Sequence, residues 1–205
     1  MIKMRILFVF ISLVIIVFLI LLFVNNKDHF TKNYKGLVLF DIDGTLTSNT
    51  AQNNYLIVQA CIDNSFAVGI CTAGSVYSME NILSYNWMPK NLYDFILRED
   101  KITFNNVGSK ILIGKPNKLS YSNLSNQHPG FLKGFALEKT ANALGITNPK
   151  YMILCDDDIG YIQNFREYNP KLSVVCSGVS CGGVGARLNI DDVKNAMYSE
   201  DQHPQ

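Results

Sequence analysis

The chain has 205 residues, a formal net charge of +1 and a hydrophobic share of 48%. That length suits one ordinary α/β domain with little left for a second. So balanced a charge excludes a protein that coats nucleic acid, which needs a basic face, and no nucleic-acid partner is expected.

Residues 6–24 read ILFVFISLVIIVFLILLFV, with Ser12 the lone polar side chain. As a helix rising about 1.5 Å per residue, such a run reaches roughly 30 Å, the thickness of a bilayer core. A helix apolar around its whole circumference does not suit a soluble domain. Lys3 and Arg5 would also suit a signal peptide, but the run outlasts a typical signal core and no small-residue cleavage site follows Val24. The expectation is an uncleaved single-pass anchor over residues 1–24, with the bilayer as the partner of residues 6–24. A polar linker over residues 25–35 then leads to a domain over residues 36–200. Lys3 and Arg5 flank one side of the run and Lys27, Lys32 and Lys35 the other, which leaves the membrane side of the domain undetermined.

Apolar runs and turn residues then order the domain. Leu37-Val38-Leu39-Phe40 is a buried strand, and residues 52–63 carry helical spacing. Residues 66–71 read as a second strand and residues 77–85 as a helix. Asp94-Phe95-Ile96-Leu97 is a third strand candidate. Residues 131–144 form an amphipathic helix, with Phe135, Leu137, Ala141 and Leu144 inward and Gly145 as its stop. Residues 151–155 give a fourth strand, 159–168 a helix, 172–176 a fifth strand and 190–198 a closing helix. Strands alternating with helices predict a doubly wound, mostly parallel, Rossmann-like sheet. Residues 99–130 could form a small flap, with a hairpin around Asn105-Asn106-Val107-Gly108. Trp87, Met88 and Tyr93 suit either the entrance to a site or, better, the core.

The chain holds 5 cysteines. Cys71 and Cys155 end strand-like runs and read as buried thiols. Cys176 and Cys181 could pair in an oxidising compartment. No paired CxxC is present, which argues against zinc.

Chemistry concentrates at strand ends. Asp41 and Asp43 leave the first strand at its C-terminal end, where open α/β sheets hold ligands. On extended chain, i and i+2 share a face. Two acids there repel unless a cation or a proton offsets their charge. Gly44 allows a sharp turn and the approach of backbone N–H groups to an anion. Thr72 and Ala73 follow the second strand, where a hydroxyl beside free N–H groups suits phosphate. A helix N-cap is the plainer role for Thr72. Asp156-Asp157-Asp158 follows the fourth strand, and carboxylates so placed suit a hard cation such as Mg²⁺. Asp158 reads better as the cap of the next helix.

The run Asp41-Ile42-Asp43-Gly44-Thr45-Leu46-Thr47 resembles the first motif of the haloacid dehalogenase (HAD) superfamily, hhhDxDGTLT. The resemblance extends over roughly residues 35–176. Thr72 stands where the family has a Thr or Ser that donates to phosphate. Lys133, in Phe131-Leu132-Lys133-Gly134-Phe135-Ala136-Leu137, resembles the family's motif lysine; Lys115, before Pro116, is the alternative. Lys133 stands one helix and a turn ahead of Asp156, the better separation for reaching the same sheet edge. Asp156 is the first choice of ligand in the fourth motif and Asp157 the second. The family's further acid is missing, because Ile159-Gly160-Tyr161 follows.

The resemblance implies a HAD sheet with a small cap or none and a Mg²⁺-dependent phosphomonoesterase. Asp41 would be the nucleophile and Asp43 the acid and base, with Lys133 offsetting charge. Thr72, Ala73 and Gly44 would bind the phosphate, and Asp41, Asp43, Asp156 and Asp157 the metal. The substrate would be a phosphorylated small molecule or macromolecule. The competing expectations are a catalytically weak or inactive, membrane-tethered interaction module of the same fold, or a phosphotransferase.

Overall fold

The computed structural model describes residues 33–73, 84–98, 127–178 and 187–198. The chain divides into two units, Met1–Asn33 and Tyr34–Gln205, and the described residues from Tyr34 onward all belong to the second. The expected anchor over residues 6–24, residues 99–126 of the expected 99–130 flap and Lys115 lie outside the described residues. So do residues 77–83 of one expected helix, while residues 84 and 85 are non-helical. Pro129 and Gly130 of the expected flap begin a helix instead. Among the described residues no helix is long and apolar enough to cross a membrane.

Among its described residues the second unit is α/β, with an all-parallel, four-stranded sheet consistent with a Rossmann-like fold. The strands are β1 (Gly36–Phe40), β2 (Phe66–Ile70), β3 (Met152–Asp156) and β4 (Ser173–Cys176), in the order β2-β1-β3-β4. The first three are buried along their whole length, as continuous apolar runs covered on both faces should be. The helices are α1 (Ala51–Asp63), α2 (Lys90–Arg98), α3 (Pro129–Ala143), α4 (Ile159–Tyr168) and α5 (Ile190–Tyr198). α1 packs on α2 and α5, and α3 packs on α4, giving two helical groups around the sheet.

The third strand candidate, residues 94–97, is instead part of α2. Its short apolar run hides a helical stripe, because Leu92, Phe95 and Ile96 fall at i, i+3 and i+4 and are all buried. Pro89 stands just before the first turn, and Lys90 pairs with Asp94 one turn on. Trp87 and Met88 are buried in the core, and Tyr93 packs partly buried against it.

α3 shows how closely local signals set the boundaries here. His128 Nδ1 accepts from the Gly130 N–H at 3.2 Å, and Pro129 occupies the first turn, where a missing N–H costs nothing. At the other end Gly145 takes φ +80°. The Gly145 N–H donates to Asn142 O at 3.0 Å and the Ile146 N–H to Ala141 O at 2.9 Å, a Schellman closure. Leu137 and Ala141 are buried as expected; Leu132 and Ala136 join them, while Phe135 and Leu144 are half-buried.

The strand order fixes the site. From β1 the chain moves outward to β2, and from β3 outward to β4 on the other side. The order therefore reverses between β1 and β3, and the crevice beyond their C-terminal ends is where ligands bind in such sheets. Phe40 pairs with Cys155, so Asp41 and Asp156 leave neighbouring strands side by side.

Candidate active site

Asp41 is 5% exposed and Asp156 fully buried. The third helix delivers Lys133 between them from its second turn. Its Nζ donates to Asp41 Oδ1 at 2.9 Å and to Asp156 Oδ2 at 2.6 Å. The ammonium also sits 4.8 Å from the centre of the Tyr161 ring, whose face attracts a cation. A lysine this buried needs charged partners, and both are supplied.

Asp157 is half-buried. Asp41, Asp156 and Asp157 each offer a carboxylate oxygen within 4.8 Å of the others, a group able to hold a metal ion. Among the described residues Lys133 is the ammonium bonded within this group, to Asp41 and Asp156. Burial pushes the Asp41 carboxyl up from 3.8 to about 7; the Lys133 charge works against this rise and the Asp156 charge adds to it. Burial and the Asp156 charge also raise Asp157. For Lys133 burial disfavours the charge, but Asp41 and Asp156 outweigh it and hold the amine above the ordinary lysine value. These directions agree: Lys133 is bonded to Asp41 and Asp156, while burial and the repulsion between neighbouring carboxylates raise the proton affinity of Asp41 and Asp157.

The donor set fits a hard divalent cation: oxygen atoms from two elements, net negative charge and one half-exposed carboxylate at the open side. The space fits too. A Cβ on Gly44 would lie 2.0 Å from Asp157 Oδ2, and Gly44 has φ +72°, so only glycine lets that carboxylate into the group.

A cavity of about 340 Å³ opens over these acids, lined by Asp41, Asp43, Gly44, Thr72, Ala73, Asp157, Asp158 and Tyr161. All the expected phosphate-binding residues line it, but their means differ. Thr72 is 1% exposed at the end of β2, beside the strand that carries Asp41. The Gly44 N–H donates to Thr47 Oγ1 at 3.0 Å, so it closes the turn rather than facing the cavity. That turn is wide: Leu46 N–H donates to Asp41 O and Thr47 N–H to Ile42 O, both across five residues. Asp43, in extended backbone just before Gly44, is exposed. It lines the cavity, but the three-carboxylate group does not include it. The chain has by then left the strand, so Asp43 stands at the rim of the cavity and not in the three-carboxylate group.

Asp158 caps α4, its Oδ1 accepting from the Tyr161 N–H at 3.0 Å. The register of the acidic triplet is therefore Asp156 and Asp157 toward Asp41 and Asp158 toward the helix. Tyr161 and Ser177 carry no motif in the sequence, yet one walls the cavity and the other bonds within the site at 2.9 Å to Thr45. Their places in the first turn of α4 and at the end of β4 mark them only once the topology is known. A larger cavity of about 550 Å³ between α1 and the start of α5 contains Arg187 and Asp192 but none of these buried carboxylates.

Cys61, Cys71 and Cys155 are free, buried thiols, which burial holds far from ionisation; Cys71 and Cys155 match the sequence reading. Cys176 is disulfide-bonded, and Cys181 lies outside the described residues. No protein-family model, curated protein or solved structure matches the chain.

Proposed function

We propose that the protein is a HAD-type phosphomonoesterase that works through an aspartyl-phosphate, requires Mg²⁺ and is tethered to a membrane by residues 6–24. The observation that carries this reading is Lys133, fully buried and bonded to both Asp41 and Asp156. A buried lysine shared by acids from two neighbouring strand ends, with a third acid alongside, supports phosphoryl chemistry better than a structural ion pair, which needs only one acid. Mg²⁺ would be held by Asp41, Asp156 and Asp157 and would supply charge neutralisation for a phosphoryl oxygen.

The chain's own residues divide the remaining work. Asp41 attacks phosphorus, and Lys133 holds its Oδ1 so that the carboxylate has one defined orientation. As the ester bond breaks, Asp43 at the rim gives a proton to the departing oxygen. It then takes a proton from the water that opens the acyl-phosphate. The Thr72 hydroxyl and the Lys133 ammonium stabilise the charge on the transferring group. Asp41 must be ionised to attack, and Lys133 favours that form against burial.

The test is release of phosphate from p-nitrophenyl phosphate by the full chain in detergent, with Mg²⁺ and with EDTA. Activity that needs Mg²⁺ and disappears in Asp41→Asn is expected. A folded wild type with no hydrolysis of this or a panel of other phosphomonoesters sinks the reading. Extraction by detergent but not by alkaline carbonate tests the tether.

A further inference from the structure

Lys133 bonds to Asp41 and Asp156, and no hydrogen bond joins it to Asp157 among those the structure gives. Asp157 is nonetheless closely confined. A Cβ on Gly44 would meet its carboxylate at 2.0 Å, and one on Gly178 would meet its carbonyl oxygen at 2.4 Å and its Cβ at 2.8 Å. From the turn after β1, Thr45 Oγ1 donates to Asp157 Oδ1 at 3.5 Å. From the end of β4, Ser177 Oγ lies 2.9 Å from the same Thr45 oxygen. Thr45 is fully buried and Ser177 1% exposed. A hydroxyl has one proton to give. If Thr45 directs its proton to Asp157, Ser177 must be the donor to Thr45, and the three groups form a directed chain. Ser177 is itself fixed, its N–H donating to Asp156 O at 2.9 Å.

We propose that Thr45 and Ser177 are positioning residues that aim Asp157 at a divalent cation and so set the affinity of the site. Two buried hydroxyls could satisfy each other anywhere in a core. Here the pair ends on the one acid of the group that Lys133 does not hold, and it draws on two different strand ends to do so. The missing Cβ at Gly44 leaves room for the Asp157 carboxylate and the one at Gly178 for its backbone, and the hydroxyl chain adds a hydrogen bond to the carboxylate itself. Hydrogen-bond partners of metal ligands commonly change affinity about 10–100-fold when removed. The inference rests on the reading that the three acids hold a cation.

The experiment is titration of the full chain in detergent with Mn²⁺ and Mg²⁺, read by calorimetry and by the Mn²⁺ resonance signal, with no substrate present. Thr45→Val, which keeps the side-chain shape, and Ser177→Ala are each expected to raise Kd about tenfold. The double variant should be no worse than the worse single one, because the pair acts in series. Thr45→Ser keeps the hydroxyl and should bind as the wild type does. Folding is checked by a cooperative thermal transition in EDTA. Folded Thr45→Val and Ser177→Ala proteins that bind Mn²⁺ like the wild type overturn the brace and leave the cation site standing. A folded Thr45→Ser protein whose Kd rises about tenfold over the wild type also overturns it, and this variant keeps the test decisive if the others do not fold. A wild type that binds neither ion overturns the cation site and the brace together.

Discussion

Replacing Lys133 with methionine keeps the length of the side chain and removes its charge. Two carboxylates, 5% and 0% exposed, would then face each other with no ammonium between them. Removing one partner of a buried ion pair costs about 3–5 kcal/mol. Here one lysine serves two acids, at 2.9 and 2.6 Å, so the upper end applies and about 5 kcal/mol is expected at pH 8. In a domain of this size that lowers the melting temperature by about 10–20 °C. The cost must shrink in acid. Burial already raises Asp41 to about 7 with Lys133 in place, and without the ammonium this acid holds its proton more firmly. At pH 5 the proton on Asp41 leaves less charge unpaired, and the loss should fall to about 3 kcal/mol or less, the lower end for a broken buried pair. Trp87 is the lone tryptophan and lies in the core, so its fluorescence reports unfolding of wild type and variant in urea with EDTA present. A penalty of equal size at pH 5 and pH 8, or one below about 1 kcal/mol at pH 8, would refute the role given to the buried charge.

The wild type carries a related signature. Asp41 binds its proton more tightly folded than unfolded, so its contribution to stability is present below pH 3.8 and is lost as pH rises through about 7. At about 1.36 kcal/mol per unit the loss reaches about 4 kcal/mol. Melting in EDTA should therefore weaken from pH 5 to pH 8, and Mg²⁺ should protect most at the alkaline end; protection that grows toward acid would contradict this. Gly44→Ala should abolish cation binding measured by calorimetry and cost about 1–3 kcal/mol from its positive φ; a binding-competent variant would show that Asp157 is not a ligand. Asp43→Asn, at an exposed position, should leave the melting temperature unchanged and lower kcat about 10²–10⁴-fold, and unchanged turnover would remove Asp43 from the chemistry.

The parts of the fold that the sequence announces are those where one local signal suffices. The helix over residues 159–168 is bounded by an aspartate cap and the end of its apolar spacing, and α4 has those limits. β1 and β3 are apolar runs that end in acids, and parallel central strands read that way because both faces are covered. The choice of Lys133 over Lys115 followed from chain separation, and the geometry brings Lys133 to Asp41 and Asp156. Residues 94–97 failed because a four-residue apolar run fits either period, and the deciding residue, Leu92, lies outside it. Gly44 was legible as a turn, but the use of its N–H by Thr47 depends on the width of that turn. The Thr45–Ser177 contact joins positions 132 residues apart, between two small hydroxyls that look like any others in the chain. Only the strand order makes them neighbours.

The ladder itself reaches the site. Asp41 N–H donates to Cys155 O, Ser177 N–H to Asp156 O and Cys71 N–H to Phe40 O, each at 2.9 Å. These bonds continue the strand pairing to the residues that carry or adjoin the chemistry. Opening of the acid group therefore requires unzipping the end of the central sheet, which costs close to global unfolding. The amide of Asp41 should exchange with deuterium as slowly as those of Leu39 and Leu154. Any breathing that admits a ligand to the cavity is then expected from the walls around the acids, while the acids keep their places.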